Sequence, residues 1–291
     1  MATETRTRLN LWGILSESKR IINAHSRHFL GLSVMFLLPL SFTTVVSPFL
    51  LSPHRHSSNI RILLRHQQEE ENALPILILI LILLSLCATA SITHSVFHGF
   101  FGRPVKLPTA LLSILPSLLP LLATALLLHL PLLLLPFLPL PLPFPLLLLL
   151  LLPCLLYLRL TCILAPVLVV AESAWGLTPF RRSSSLVSGM LPVAASSFLF
   201  FSSLHALLLL SSTYLLRPSH SSSFALQIVL ASTLLTLLLL YNAAADTVLY
   251  LYCKAVHGEL AHDIAREFSW HYVSLPFDDA KLPHLVSVLT P

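Results

Sequence analysis

Apolar runs long enough to cross a bilayer recur along this chain, with short polar interruptions between them. They fall at about residues 29–51, 74–98, 109–135, 146–171, 190–215 and 223–252. A hydrocarbon core of ~30 Å needs ~20 helical residues, and each run meets that length. Backbone that crosses a bilayer must satisfy its own hydrogen bonds, which leaves helices or a closed barrel. Barrel strands would alternate apolar and polar positions over ~10 residues, whereas these runs are leucine-rich on every side. The pattern predicts an all-α fold, a polytopic membrane helix bundle of about six transmembrane helices.

The polar interruptions define the rest of the layout. Residues 1–28 form an N-terminal segment in which Leu11, Leu15 and Ile22 recur at helical spacing beside Lys19 and Arg20. That spacing predicts an interfacial amphipathic helix. The segment does not fit a signal peptide, because its apolar run begins late and no small-residue cleavage site follows. Glu4 and Glu17 argue against a transit peptide. Pro39 and Pro48 predict kinks in the first span, and residues 52–73 a polar loop. Ser85, Thr89 and Thr93 stand four apart in the second span, a row of small polar residues along which helices can approach closely. Between the third and fourth spans, alternating prolines from Pro136 to Pro145 cannot continue a helix and predict an extended, uncharged connection. The stretch from Ala165 to Gly189 leaves the fourth span at Glu172, turns at Gly176 and re-enters after Arg181, Arg182 and a serine run. Residues 253–291 form a polar tail.

Composition narrows the class further. The 291 residues are 56% hydrophobic and only 10% charged, with a mean hydropathy of +0.86. Soluble domains carry about 25% charged residues, so this chain lacks the shell that would dissolve it in water. The net charge of +5 comes from residues scattered over short loops, with no basic patch interleaved with aromatics. Nucleic acid is therefore not an expected partner. The basic residues instead report topology. With six spans, the side holding both termini receives twelve of the seventeen Lys and Arg residues; the other side receives four, and Arg159 lies within a span. The positive-inside rule then puts both termini in the cytosol, in either the endoplasmic-reticulum endomembrane or the plasma membrane. Cys87, Cys154, Cys162 and Cys253 show no CxxC pairing and imply neither a disulfide framework nor a zinc site. Cys253, at a span's end, is either buried or open to palmitoylation.

Ionisable residues inside a membrane are costly and mark functional sites by default. Arg159, mid-way along the fourth span, and Asp246, late in the sixth, could pair across the bundle or line a polar path. The plainer alternative has Arg159 snorkelling and Asp246 reaching the interface near Lys254. Glu172 could bind a lipid-headgroup amine, or pair with Arg181 or Arg182 to hold the turn; a structural pair is the simpler expectation. His94, His129 and His205 could relay protons, but isolated histidines more often bond a neighbouring carbonyl. In the tail, His257, Glu259, His262 and Asp263 have the order HxExxH rather than HExxH, and histidines five apart point ~140° apart around a helix. No metal and no cofactor is expected. There is no GxSxG, no phosphate-cradling glycine loop and no paired-acid motif, so no enzyme is visible.

The central stretch resembles a plant family of uncharacterised six-span transmembrane proteins. The resemblance rests on Glu172, Trp175-Gly176, Arg182, Ser183, Leu186 and Gly189, and on Thr247, Tyr250, Cys253-Lys254, His257 and Glu259 near the C-terminal end. The N-terminal segment from Leu11 to Phe42 is similar too. The same central pattern resembles the membrane domain of bacterial glycerophosphodiester phosphodiesterases, whose catalytic barrel has no counterpart here. Residues 110–155 depart into leucine and proline, Pro179 replaces a usual alanine, and Asp246 replaces a usual polar amide. The resemblance implies fold and topology, and makes Glu172, Gly176, Arg182, Ser183 and Gly189 the turn residues of interest.

The resulting expectation is a non-enzymatic multi-pass membrane protein acting as a scaffold, adaptor or lipid-organising component. Its partners would be membrane lipids and a cytosolic protein reached through the tail. The competing expectation is a transporter or channel for a small solute or lipid that uses Arg159 and Asp246.

Overall fold

A computed structural model describes residues 10–50, 60–103, 105–134, 144–215 and 222–260, and among them there is no strand. The helices are α1 Leu11–Ala24, α2 Ser26–Leu32, α3 Leu38–Leu50, α4 Ile60–Phe100, α5 Leu107–Leu112, α6 Ile114–Leu134, α7 Phe144–Thr161, α8 Ala165–Glu172, α9 Thr178–Ser188, α10 Leu191–Leu215 and α11 Ser222–Val256. Among the described residues, five stretches are long and apolar enough to cross a membrane: Ser26–Pro48, Pro75–Phe100, Leu151–Glu172, Leu191–Thr213 and Phe224–Val256. The third expected span contributes a shorter apolar helix, Ile114–Leu130. The connection at 136–143, the loop around Arg217, and residues 261–291 of the tail lie outside the described residues.

Proline sets the internal breaks. In the first span, Leu38 N–H reaches back five residues to Ser33 C=O, making a π turn over Ser33–Leu37 immediately before Pro39. Pro116 cannot donate to the carbonyl of Leu112, and the expected 109–135 helix divides at Ser113. Pro166 likewise cannot donate to Cys162, and the expected 146–171 helix divides into α7 and α8. One expectation is overturned. Residues 60–73, expected as loop, are the first turns of the 41-residue α4. Leucine, glutamine, glutamate and arginine there are polar or mixed, yet all are good helix formers. At ~1.5 Å per residue the helix runs ~60 Å, about twice a bilayer core, with the span proper beginning at Pro75.

The bundle is built around the second half of α11. Ala244, Ala245, Val248, Leu249, Tyr250, Leu251 and Cys253 are all buried, and α1, α3, α4, α8, α9 and α10 each pack against this helix. A helix buried on nearly all sides lies at a centre, not an edge. The centre is thus α11, with the turn after Glu172 laid over its end. Because lipid is as apolar as leucine, close packing and interhelical hydrogen bonds must hold the helices together. Ser41 Oγ meets Thr236 Oγ1 at 2.5 Å between α3 and α11, and His28 Nε2 meets Ser95 Oγ at 2.9 Å between α2 and α4. On α4 the closely packed row is Ala88, Ser91, Ile92 and Ser95; Ser85, Thr89 and Thr93 line a small cavity.

α1 is amphipathic, as its spacing predicts. Its buried face is Ile14, Ser18, Ile21 and Ile22, which joins the bundle's own core, while Trp12 on the other side is 78% exposed. The C-terminal end of α4 meets it, since a Cβ on Gly99 would lie 3.0 Å from Ile21. The helix α1, the ends of α4, α8 and α11, and all of α9 therefore gather at one end of the bundle.

Candidate functional site

Where α7 stops at Thr161 and α8 starts at Ala165, the backbone leaves groups that a continuous helix would satisfy. One side chain, Ser183 from α9, serves two of them. Its hydroxyl donates to Thr161 C=O at 2.6 Å and accepts from Leu164 N–H at 3.2 Å. Ser183 and Leu164 are both fully buried. Without water in reach, such groups need a protein partner. α9 is thereby tied to the broken span from the side.

The turn that delivers α9 depends on two left-handed residues. Ser173, with φ 52°, ends α8, and Gly176 follows with φ 66°. A Cβ on Gly176 would meet nothing within 4 Å, so its backbone angle is what favours glycine there. Gly189 is the opposite case. Its φ of −74° is ordinary, but a Cβ would stand 3.0 Å from Cε1 of His257. The His257 ring is itself held by Nδ1–H donating to Cys253 C=O at 2.8 Å.

Above this turn lies a charged cluster. Glu172 Oε1 accepts from Tyr250 Oη at 2.8 Å and sits 3.2 Å from Lys254 Nζ. Its Oε2 is 3.6 Å from Arg182 Nε, and Arg182 also donates to Glu259. Lys254 Nζ lies 5.4 Å above the Tyr250 ring. Burial works against the Arg182 charge, but the hydrogen bond to Glu259 and the charges of Glu172 and Glu259 outweigh it and raise its pKa. Glu172 thus pairs with Arg182. Arg181 is exposed, and no ion pair reaches it among the described residues. Tyr250, Lys254 and Glu259 figure in the sequence only through the family resemblance, with Glu259 also in the HxExxH order, and not as partners of Glu172. The signal was present in the four-residue spacing of Tyr250 and Lys254, which puts both on one helix face.

About two turns deeper along α11, the structure opens a cavity of 490 Å³ between α7, α8, α10 and α11. Arg159, His205, Asn242 and Asp246 all line it, against an apolar wall that includes Leu128, Phe198 and Phe201. Arg159 and Asp246 therefore share a cavity, but no ion pair joins them among the described residues. Nor does any hydrogen bond from a described residue reach these four side chains, and Oδ1 of Asp246 is sealed from solvent. A second cavity of 180 Å³, lined by Ser85, Thr89 and Thr93, is also lined by Asn242 and Asp246. Asn242 enters the site only through the tertiary structure, and His205, weighed as one of three relay candidates, is the one of the three that lines this cavity. The other histidines have local partners: His129 Nδ1–H donates to Ala125 C=O at 2.7 Å, and His94 and His98 meet through Nε2 at 3.1 Å. Cys253 is buried. His262 and Asp263 lie outside the described residues.

Among the described residues, five helices long and apolar enough to cross a membrane, interhelical hydroxyl contacts and a cavity holding Arg159 and Asp246 define an all-α integral membrane protein. More narrowly, the chain belongs to the family described as Domain of unknown function (DUF8558), which matches residues 54–267. That match takes in α4 to α11, and with them the charged cluster and the lining of the cavity. Neither a curated protein nor a solved structure matches the chain.

Proposed function

We propose that the protein is a non-enzymatic, lipid-organising membrane protein that holds a polar group of a membrane-derived molecule inside its helix bundle. The observation that carries this reading is the 490 Å³ cavity, in which Arg159, His205, Asn242 and Asp246 have no hydrogen-bond partner among the described residues. An unsatisfied polar group away from water costs ~1–3 kcal/mol, more when charged; Asp246 Oδ1 is such an atom, and it shares the cavity with three further polar side chains that a ligand would engage. The volume falls in the range of small-molecule pockets, ~300–1,000 Å³. Both termini face the cytosol in this reading, supported by the excess of Lys and Arg on their side. The N-terminal helix and the Glu172–Arg182–Lys254 cluster then sit at the cytosolic end.

Native mass spectrometry of the full chain, purified in mild detergent, tests the proposal. A defined lipid mass retained by the parent and lost in Arg159→Ala is the expected result. An empty parent protein, or equal lipid on both, refutes it.

A second reading, a transporter or channel, draws on one observation. Asn242 and Asp246 line both cavities, 490 and 180 Å³ in volume, as do Ile163, Pro166 and Leu239. Uptake of a solute into proteoliposomes, abolished by Asp246→Leu, would favour that reading.

A further inference from the structure

The cavity between α7, α8, α10 and α11 carries information on the charge of what it holds. This step rests on the lipid-holding reading above and concerns the ligand's chemical class. Arg159 enters from α7 and Asp246 from α11, so the cavity has a fixed cation on one wall and a carboxylate on another. They do not neutralise each other, since no ion pair joins them. A simple anion would satisfy Arg159 and be repelled by Asp246, while a simple cation would do the reverse. In a low-dielectric site either mismatch is costly, because a charge taken from water needs an opposite charge close by.

We propose that the cavity binds a zwitterion, with its anionic group on the Arg159 side and its ammonium on the Asp246 side. The neighbouring side chains fit that division. The Arg159 guanidinium presents a planar fork of donors suited to a phosphate or carboxylate, and His205 adds a ring nitrogen. The Asp246 carboxylate and the Asn242 amide oxygen are acceptors, matching the three donors of an ammonium.

The route in is from the side. Ser202 and Ala206 on α10 line the cavity and are exposed, in a stretch that is long and apolar enough to lie within the membrane. A zwitterionic lipid headgroup could enter there with its acyl chains left outside, and a free zwitterionic solute has the same chemistry.

The test is a native mass-spectrometric titration of the full chain, delipidated in detergent. The probes are phosphatidylethanolamine, phosphatidylglycerol of matched acyl chains, and free phosphoethanolamine. The parent is expected to bind phosphatidylethanolamine at least about tenfold more tightly than phosphatidylglycerol. Arg159→Gln should weaken both lipids. Asp246→Asn should erase the preference, with the two lipids binding alike. Ala206→Trp narrows the mouth without touching a charge; it should block both lipids while leaving the protein monodisperse, which separates loss of binding from loss of folding. Equal binding of the two lipids by the parent, or a preference that survives Asp246→Asn, overturns the zwitterion while leaving a lipid-holding bundle standing. Tight binding of phosphoethanolamine without either lipid keeps the zwitterion and overturns the lipid reading in favour of the transporter. Binding of none of the three overturns both.

Discussion

The hydroxyl of Ser183 offers the most direct way to weigh one part of this fold. Ser183→Ala removes a single oxygen, and with it a donor to Thr161 C=O and an acceptor for Leu164 N–H. Both lost contacts are buried, and the break between α7 and α8 leaves no helical turn to take them over. An orphaned buried polar group costs ~1–3 kcal/mol; the amide suffers the full effect, and the carbonyl less because it has a second lone pair. Together they predict a loss of about 2–4 kcal/mol, which no water in the hydrocarbon can relieve. The assay is reversible unfolding in mixed micelles, with amide exchange at Leu164 as the local probe. Ser184→Ala, at an exposed neighbouring position, is the control and should stay within about 0.5 kcal/mol of the parent. If Ser183→Ala falls in that same narrow range and Leu164 remains protected, the serine does not hold the broken span.

Two glycines should respond in opposite directions to alanine. Gly189→Ala must push against His257 and should cost about 1–2 kcal/mol, whereas Gly13→Ala meets nothing within 4 Å inside α1 and should gain about 0.5–1 kcal/mol, both read as shifts in Tm. A double-mutant cycle on Ser41→Ala and Thr236→Val should return a coupling of about 0.6 kcal/mol, with ~1.7 as the upper bound seen for such contacts; a value of zero would deny the α3–α11 hydrogen bond. In delipidated protein, Asp246→Leu removes a carboxylate that has no partner among the described residues and lines two cavities with room for the larger side chain. It should raise stability by about 1–3 kcal/mol, and a loss of stability would show that the carboxylate has a structural role.

Hydropathy makes the apolar spans legible, and Pro39 is an expected interruption; the breaks before Pro116 and Pro166 are not legible, because Pro48, Pro75 and Pro153 stand inside unbroken helices. Hydropathy could not show which span is central. In a soluble protein a polar face tells outside from inside, but in a bilayer lipid and protein interior are equally apolar, so buried α11 and lipid-facing α10 read alike. Polarity also misled at residues 60–73, where charged and amide side chains are consistent with both loop and helix and the propensity for helix won. Arg159 and Asp246 stood out because a charge in a span is rare. Asn242 did not, because an uncharged polar residue in a span is common; His205 was one of three scattered histidines, and only the folded bundle brings these two to the same cavity. The role of Ser183 was hidden for a different reason: its partners are backbone groups left over at the break between α7 and α8, 22 and 19 residues earlier in the chain.

The position of α11 in the order of synthesis has a consequence of its own. The helix on which the others converge follows every other described helix in the chain. At ~5–20 residues per second, a ribosome takes roughly 10–40 s to pass from the end of α3 to the end of α11. During that interval the earlier spans stand in the membrane without their common neighbour. The faces carrying Ser41 and Ala88 wait in lipid, or against the insertion machinery, for a late arrival. Quality control therefore has a long window in which to seize this chain. A premature stop just ahead of Ala244 would remove the axis of the bundle after the spans that pack against it had already been made.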